Sequence, residues 1–249
     1  MPFAGLIADT SGNLYGTASQ GGGSRCSGTG CGTIFRLTPD GTFTVLHSFS
    51  GASDGEFPAA NLLMDKKGDL YGTAGGGGPN DAGTVFKLSP NGSFKTLHAF
   101  AGGSDGANPQ AGLIEDKAGD FYGTTRNGGG QGCNGAGCGT VFRLASNGTE
   151  TVLYNFKGIS DGSEPYGGVV ADAGGNLYGT TIGGGNTDGD GVVFKVTPKG
   201  NESVPYTFAG PADGAWPEAG VILGRAGKLY GTTYGEGSDG WGTVFAVKK

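Results

Sequence analysis

Glu164, Asp188, Glu218 and Glu236 are acids that no recurring pattern in this chain explains, and they set the chemistry it could perform. Two carboxylates held about 5 to 10 Å apart cleave glycosidic bonds, one as acid and the other as nucleophile or base. Glu218 with Glu164, Asp188 or Glu236 would supply such a pair. Histidine offers little: His47 and His98 hold the same place in two successive copies of one segment, where Tyr154 and Tyr206 stand later. That repetition points to structure, and it leaves serine-type and histidine-metal chemistry without a base or a ligand.

Phe57, Tyr166, Trp216, Tyr234 and Trp241 fall in the same variable connectors as the unexplained acids, and they include both tryptophans of the chain. Flat exposed rings stack on sugar faces and anchor protein interfaces; the plainer reading is packing beneath long loops. Asn186, Asp188 and Asp190 have the spacing that opens a calcium loop, but its twelfth position is Thr197 in place of a bidentate Glu. The recurring Asp54, Asp105, Asp161 and Asp213 each precede a glycine, as residues that cap their own turns do. No Gly-Lys-Ser/Thr follows the glycine runs, so they are not phosphate loops. Cys26-x4-Cys31 and Cys133-x4-Cys138 lie in equivalent connectors and predict two local disulfides of an oxidising compartment, with a four-thiolate metal site and free thiols as the rivals.

These residues sit on a repeated frame. A phrase close to Leu-Tyr-Gly-Thr-Thr returns with its tyrosine at Tyr15, Tyr71, Tyr122, Tyr178 and Tyr230, about every 51 to 56 residues. A second phrase starts at Gly32, Gly83, Gly139, Gly191 and Gly242 and ends on phenylalanine three residues later, and a third runs from Val45 to Phe49 and on to an Asp-Gly-x-x-Pro segment at Pro58. Each unit holds four strand-length apolar runs: A (Leu6-Ile7), B (Leu14-Tyr15), C (Ile34 to Leu37) and D (Phe43 to Phe49). Asp9-x-x-Gly12 and its copies join A to B as type I turns, and Asp40-Gly41, Asn91-Gly92 and Asn147-Gly148 join C to D. The period and the meander predict an all-β β-propeller of five blades, approximately 2–57, 58–108, 109–164, 165–216 and 217–249, the last with three strands. The outer edge of that last blade, Thr243 to Val247, is open to another strand. Because strand direction alternates, the long B-to-C and D-to-A connectors share one face, and a ligand site belongs there. The repeated tyrosines and the Phe35 series are expected between blades.

The Tyr-Gly-Thr phrases, the glycine-rich loops leading into Cys31 to Phe35 and Cys138 to Phe142, and the Leu-His-x-Phe and Asp-Gly-x-x-Pro phrases resemble the bacterial GloVer tandem repeat, a family named after Gloeobacter and Verrucomicrobia and found in large exported proteins. The resemblance spans almost the whole chain and implies a repeat β architecture and export, with no catalytic motif to carry over.

Composition narrows the partners. With a net charge of −6 and 57 glycines at fixed repeat positions, the 249-residue chain lacks the basic stripe of a nucleic-acid binder. It has no apolar run long enough for membrane insertion. The leading expectation is a non-enzymatic extracellular or periplasmic module that binds a carbohydrate or a surface or matrix protein through Trp216, Trp241, Tyr234, Tyr166 and Phe57, with no required cofactor. A carboxylate-dependent glycan-cleaving enzyme is the alternative, and self-association through the open last blade a second one.

Overall fold

The computed structural model describes residues 1–249 and contains five antiparallel sheets with almost no helix. The first is β1 (Ile7–Ala8), β2 (Leu14–Ala18), β3 (Thr33–Leu37) and β4 (Phe43–Ser48). The second is β5 (Leu63–Met64), β6 (Leu70–Ala74), β7 (Thr84–Leu88) and β8 (Phe94–Ala99), and the third is β9 (Ile114–Glu115), β10 (Phe121–Thr125), β11 (Thr140–Leu144) and β12 (Glu150–Asn155). The fourth follows with β13 (Val170–Ala171), β14 (Leu177–Thr181), β15 (Val192–Val196) and β16 (Glu202–Thr207); the fifth has only β17 (Ile222–Leu223), β18 (Lys228–Thr232) and β19 (Val244–Lys248). Every sheet is a meander in chain order, so the strand count of each repeat agrees with the sequence pattern. Run A shifts by one residue, because Leu6 precedes the first ladder pair, Ile7 with Tyr15. Contacts divide the chain into two compact units, Met1–Ala101 with Ala107–Leu113, and Gly102–Gly106 with Ile114–Lys249.

The two strongest sequence phrases turn out to be partners across one strand pair. Gly16 faces Phe35, Gly72 faces Phe86, Gly179 faces Phe194 and Gly231 faces Phe245. The tip of each phenylalanine ring closes on the glycine: a Cβ would meet the ring at 2.6 Å at Gly72 and at 2.5 Å at Gly179. Only glycine fits where an aromatic ring covers its backbone this closely. The same ring then meets the phenylalanine that ends the preceding sheet. Phe49 and Phe86 are 5.2 Å apart at 65°, and Phe156 and Phe194 are 5.0 Å apart at 68°, both edge-to-face. Phe208 repeats the contact with Phe245, and such pairs add roughly 0.5–1.5 kcal/mol beyond their burial.

Threonine completes each junction. The hydroxyls of Thr17 and Thr73 donate to the carbonyls of Ala60 and Ala111 in the first unit, at 3.1 and 2.9 Å. Those of Thr124 and Thr180 donate to Gly167 and Ala219 in the second, at 3.1 and 2.8 Å. Among the repeated tyrosines, Tyr71 and Tyr178 are buried as expected, whereas Tyr230 of the last sheet is exposed.

At one end of each sheet the turns are tight. The Gly12 amide donates to Asp9 O at 3.1 Å, while Asp9 Oδ1 accepts from the amides of Ser11 and Asn13 at 2.9 Å. The long connectors lie at the other end. Replacing Gly179 by Ala forces the Phe194 ring out of place, and overpacking of this kind costs about 1–3 kcal/mol; urea unfolding of the variant with no loss of stability would show the close approach to be unimportant.

Candidate functional site

At the long-connector end, each Asp-Gly-x-x-Pro segment has a left-handed residue just before its proline. Phe57, Asn108, Glu164 and Trp216 have φ values of 56, 57, 56 and 58°. None is glycine, and the conformation costs roughly 1–2 kcal/mol for an L residue. Two contacts hold it. The amide of each donates to a connector carbonyl (Cys31, Ala82, Cys138 and Asp190, at 2.8 to 3.0 Å), and the following proline packs on a glycine that has no Cβ to obstruct it, as Pro217 does on Gly191. Strain held in place by surrounding structure is a mark of functional positions. Here it turns four different side chains out of the same point of the repeat.

The last of these positions carries Trp216 and helps to build a cleft of about 750 Å³ in the second unit. Trp216 lies against Gly235, whose Cβ would meet the indole at 2.6 Å. The Tyr234 amide donates to Trp216 O at 3.0 Å, and a short bridge links Glu236, itself left-handed, to Trp241. The cleft thus gathers Trp216, Tyr234 and Trp241 with Glu218, Glu236 and the Thr232 hydroxyl, and no basic side chain lines it. Its rings are open to solvent: Trp216 is 39%, Tyr234 70% and Trp241 89% exposed.

The other candidate residues are placed elsewhere. Glu164 is ion-paired with Arg126, at 2.7 Å, and the same guanidinium lies 5.9 Å over Tyr166. Phe57 belongs to the first unit. Asp188 is exposed and does not line the cleft. Asn186 Oδ1 accepts from the amides of Asp188, at 3.0 Å, and Gly189, at 2.7 Å, and Asn186 Nδ2 donates to Asp190 Oδ2 at 2.9 Å. These contacts account for the Asn-Asp-Asp spacing as a capped loop. The recurring aspartates cap their own connectors: Asp161 accepts from the Lys157 and Gly158 amides and from the Tyr154 hydroxyl at 2.6 Å. Tyr206 does the same for Asp213 at 2.5 Å, and His47 Nε2 lies 3.1 Å from Asp54. Histidine and tyrosine interchange at this place because either can reach that carboxylate. Cys26 is bonded to Cys31 and Cys133 to Cys138, so no thiol remains to hold a metal.

The family model described as the Gloeobacter/Verrucomicrobia repeat matches residues 1–138 and again residues 131–249. The chain belongs to this family. Solved structures similar to this repeat protein include selenomethionine-substituted virginiamycin B lyase from Staphylococcus aureus and luciferin-regenerating enzyme, each at 16% identity with a TM-score of 0.61. They cover 98% of this chain, and the match spans 69% and 76% of theirs. A putative gluconolactonase is similar at a TM-score of 0.54 and 16% identity, covering 98% of this chain and 73% of its own. These neighbours are propeller-like enzymes, and at such identity the likeness shows the fold alone. None of the curated proteins compared matches the sequence.

Sequence reading missed a second feature of this Gloeobacter/Verrucomicrobia repeat. Strand D opens with Phe43 and Phe94 in the first two repeats but with Glu150 and Glu202 in the next two. Burial, with Asp105 beside it, pushes the Glu150 carboxyl up to about 7. Burial, with Asp161 beside it, likewise pushes Glu202 up to about 7, and Glu202 Oε1 has no hydrogen-bond partner. The polar residue at an otherwise aromatic position was the available signal. A carboxyl with a raised folded pKa contributes stability below its unfolded value of about 4.3 and loses it as pH rises towards 7. Glu202→Gln therefore raises the thermal midpoint more at pH 8 than at pH 5, and an equal shift at both values would contradict the burial of that charge.

Proposed function

We propose that this chain is a five-bladed propeller module, exported and non-enzymatic, that binds a neutral carbohydrate in the cleft of Trp216, Tyr234 and Trp241. The observation that carries the reading is the joining in one cleft of three open aromatic rings and two acids with no base. Rings offer flat apolar faces to the C–H side of a pyranose, while Glu218 and Glu236 accept hydrogen bonds from its hydroxyls. Two unneutralised carboxylates select against anionic ligands, since like charges repel across a partly desolvated site. The two disulfides suit an oxidising compartment. No helix is long and apolar enough to cross a membrane.

Glu218 and Glu236 in the same cleft also support the glycan-cleaving alternative, and one experiment separates the two. The purified chain is incubated with a panel of neutral polysaccharides, and both retention and shortened products are followed by mass spectrometry. Retention without products, weakened at least roughly tenfold by Trp216→Ala or Trp241→Ala as expected for an anchoring aromatic, supports binding. Products that vanish with Glu218→Gln would replace that reading with catalysis. Retention unchanged by both tryptophan variants would exclude the cleft.

A further reading rests on the last sheet. Val244 is 82% exposed, although its equivalents Ile34, Val85, Val141 and Val193 are fully buried, and Leu6 at the first sheet is 50% exposed where Leu62, Leu113, Val169 and Val221 are buried. Each residue is exposed where its equivalents in other repeats are buried, and the Val244 surface of the last sheet supports packing against a second copy. Light scattering should show mass rising with concentration, and Val244→Asp should suppress the rise; a monomer at all concentrations would refute self-assembly.

A further inference from the structure

We propose that the first unit holds a second, separate ligand site: a pocket for small amphiphilic carboxylates in which Arg36 takes the carboxylate. In the second and third repeats the cation that faces the repeated tyrosine across the B and C strands is neutralised by an aspartate just before strand B. Lys87 Nζ lies 2.5 Å from Asp69 Oδ2, and Arg143 holds Asp120 through Nε, at 2.9 Å, and through its terminal nitrogen. In the first repeat Arg36 faces Tyr15 in the same register, but the position of the aspartate is Asn13. Asn13 turns to Asp9 instead, donating to its Oδ2 at 2.8 Å. Arg36 is left without a carboxylate, and its Nε is buried with no hydrogen-bond partner. The fourth repeat also has asparagine, Asn176, but there the cation is Lys195, a compact charge that lies 5.6 Å over the Tyr178 ring. A buried guanidinium edge cannot be satisfied in that way, because it needs acceptors in its own plane.

Arg36 lines a cavity of about 290 Å³ whose walls include Leu46, Met64, Leu70, Leu88 and Pro90. Asp9 lines it too, but its oxygens are engaged by the Ser11 and Asn13 amides, Asn13 Nδ2 and the Tyr15 hydroxyl. Arg36 Nε is then an unpartnered donor in a pocket with a largely aliphatic wall and one carboxylate, Asp9, whose oxygens are already engaged. The ligand that matches is a carboxylate that reaches Nε as Asp120 reaches Arg143, with an apolar tail small enough for the cavity. The site lies wholly in the first unit and does not depend on the carbohydrate reading of the second.

Octanoate is the probe, titrated calorimetrically into the intact chain, with octanamide as its uncharged counterpart. Octanoate should bind at one site per chain, with octanamide and the Arg36→Gln variant each at least roughly tenfold weaker. Asn13→Asp restores the internal pair seen in the next two repeats, so it should raise the thermal midpoint while abolishing octanoate binding. Trp216→Ala should leave octanoate affinity unchanged. Absence of octanoate binding, equal affinity for the amide, or affinity retained in Asn13→Asp or in folded Arg36→Gln would each overturn the proposal.

Discussion

A phenylalanine ring resting on a bare glycine backbone is the contact on which the other features of this repeat depend. It fixes register, because Gly179 meets Phe194 only when the B and C strands pair in one way, and a slip of one residue would turn the ring to the opposite face of the sheet. It also sets the junction within each unit, because the ring so placed offers its surface to the phenylalanine ending the preceding sheet. The threonine after the glycine is thereby set at the junction, where its hydroxyl reaches a carbonyl of the following repeat. One cross-strand pair therefore specifies strand register and sheet-to-sheet packing together.

That frame leaves the connectors free to vary only where the backbone is held from outside. The left-handed residue before each proline is such a place. Its conformation is imposed by an amide hydrogen bond and by proline packing on glycine, so residue type matters little to the fold there, and phenylalanine, asparagine, glutamate and tryptophan all occur. A position whose backbone is fixed by its neighbours and whose residue type is free to vary suits recognition, since it displays a group without first having to order it. Trp216 is pre-positioned in this sense, against Gly235 and beside Tyr234.

The fold was largely legible in the sequence because its determinants are local phrases that recur: Tyr-Gly-Thr, Gly-Thr-x-Phe and Asp-x-x-Gly each imply a strand or a turn within a few residues. The candidate site was legible in composition but not in geometry. Glu218, Glu236, Trp216, Tyr234 and Trp241 stood out as departures from the repeat, and the structure brings them to one cleft. Glu164 stood out equally, yet Arg126, far away in sequence, neutralises it. Glu202 did not stand out, because its perturbation comes from burial and from Asp161, 41 residues earlier in the chain, which no local pattern encodes. The spacing of Asn186, Asp188 and Asp190 suggested a cation, but an asparagine capping its own loop produces the same spacing.

A repeat protein supplies its own control experiment, because every position is sampled several times in nearly one environment. Where copies agree, the shared residue is explained by the fold, as the buried Val85, Val141 and Val193 are. Where one copy departs, the departure either relaxes into a new contact or remains energetically unresolved. The change from His47 to Tyr154 relaxes, since both reach the connector aspartate. The change from Asp69 to Asn13 does not: it removes the carboxylate that the facing cation holds elsewhere and leaves a buried nitrogen of Arg36 without an acceptor. Burying an unmet donor is costly, and folding alone gives no reason to keep it. An acceptor arriving from solution supplies the missing contact, and on that physical ground an unrelieved exception within a repeat is a sounder guide to function than an unusual residue considered alone.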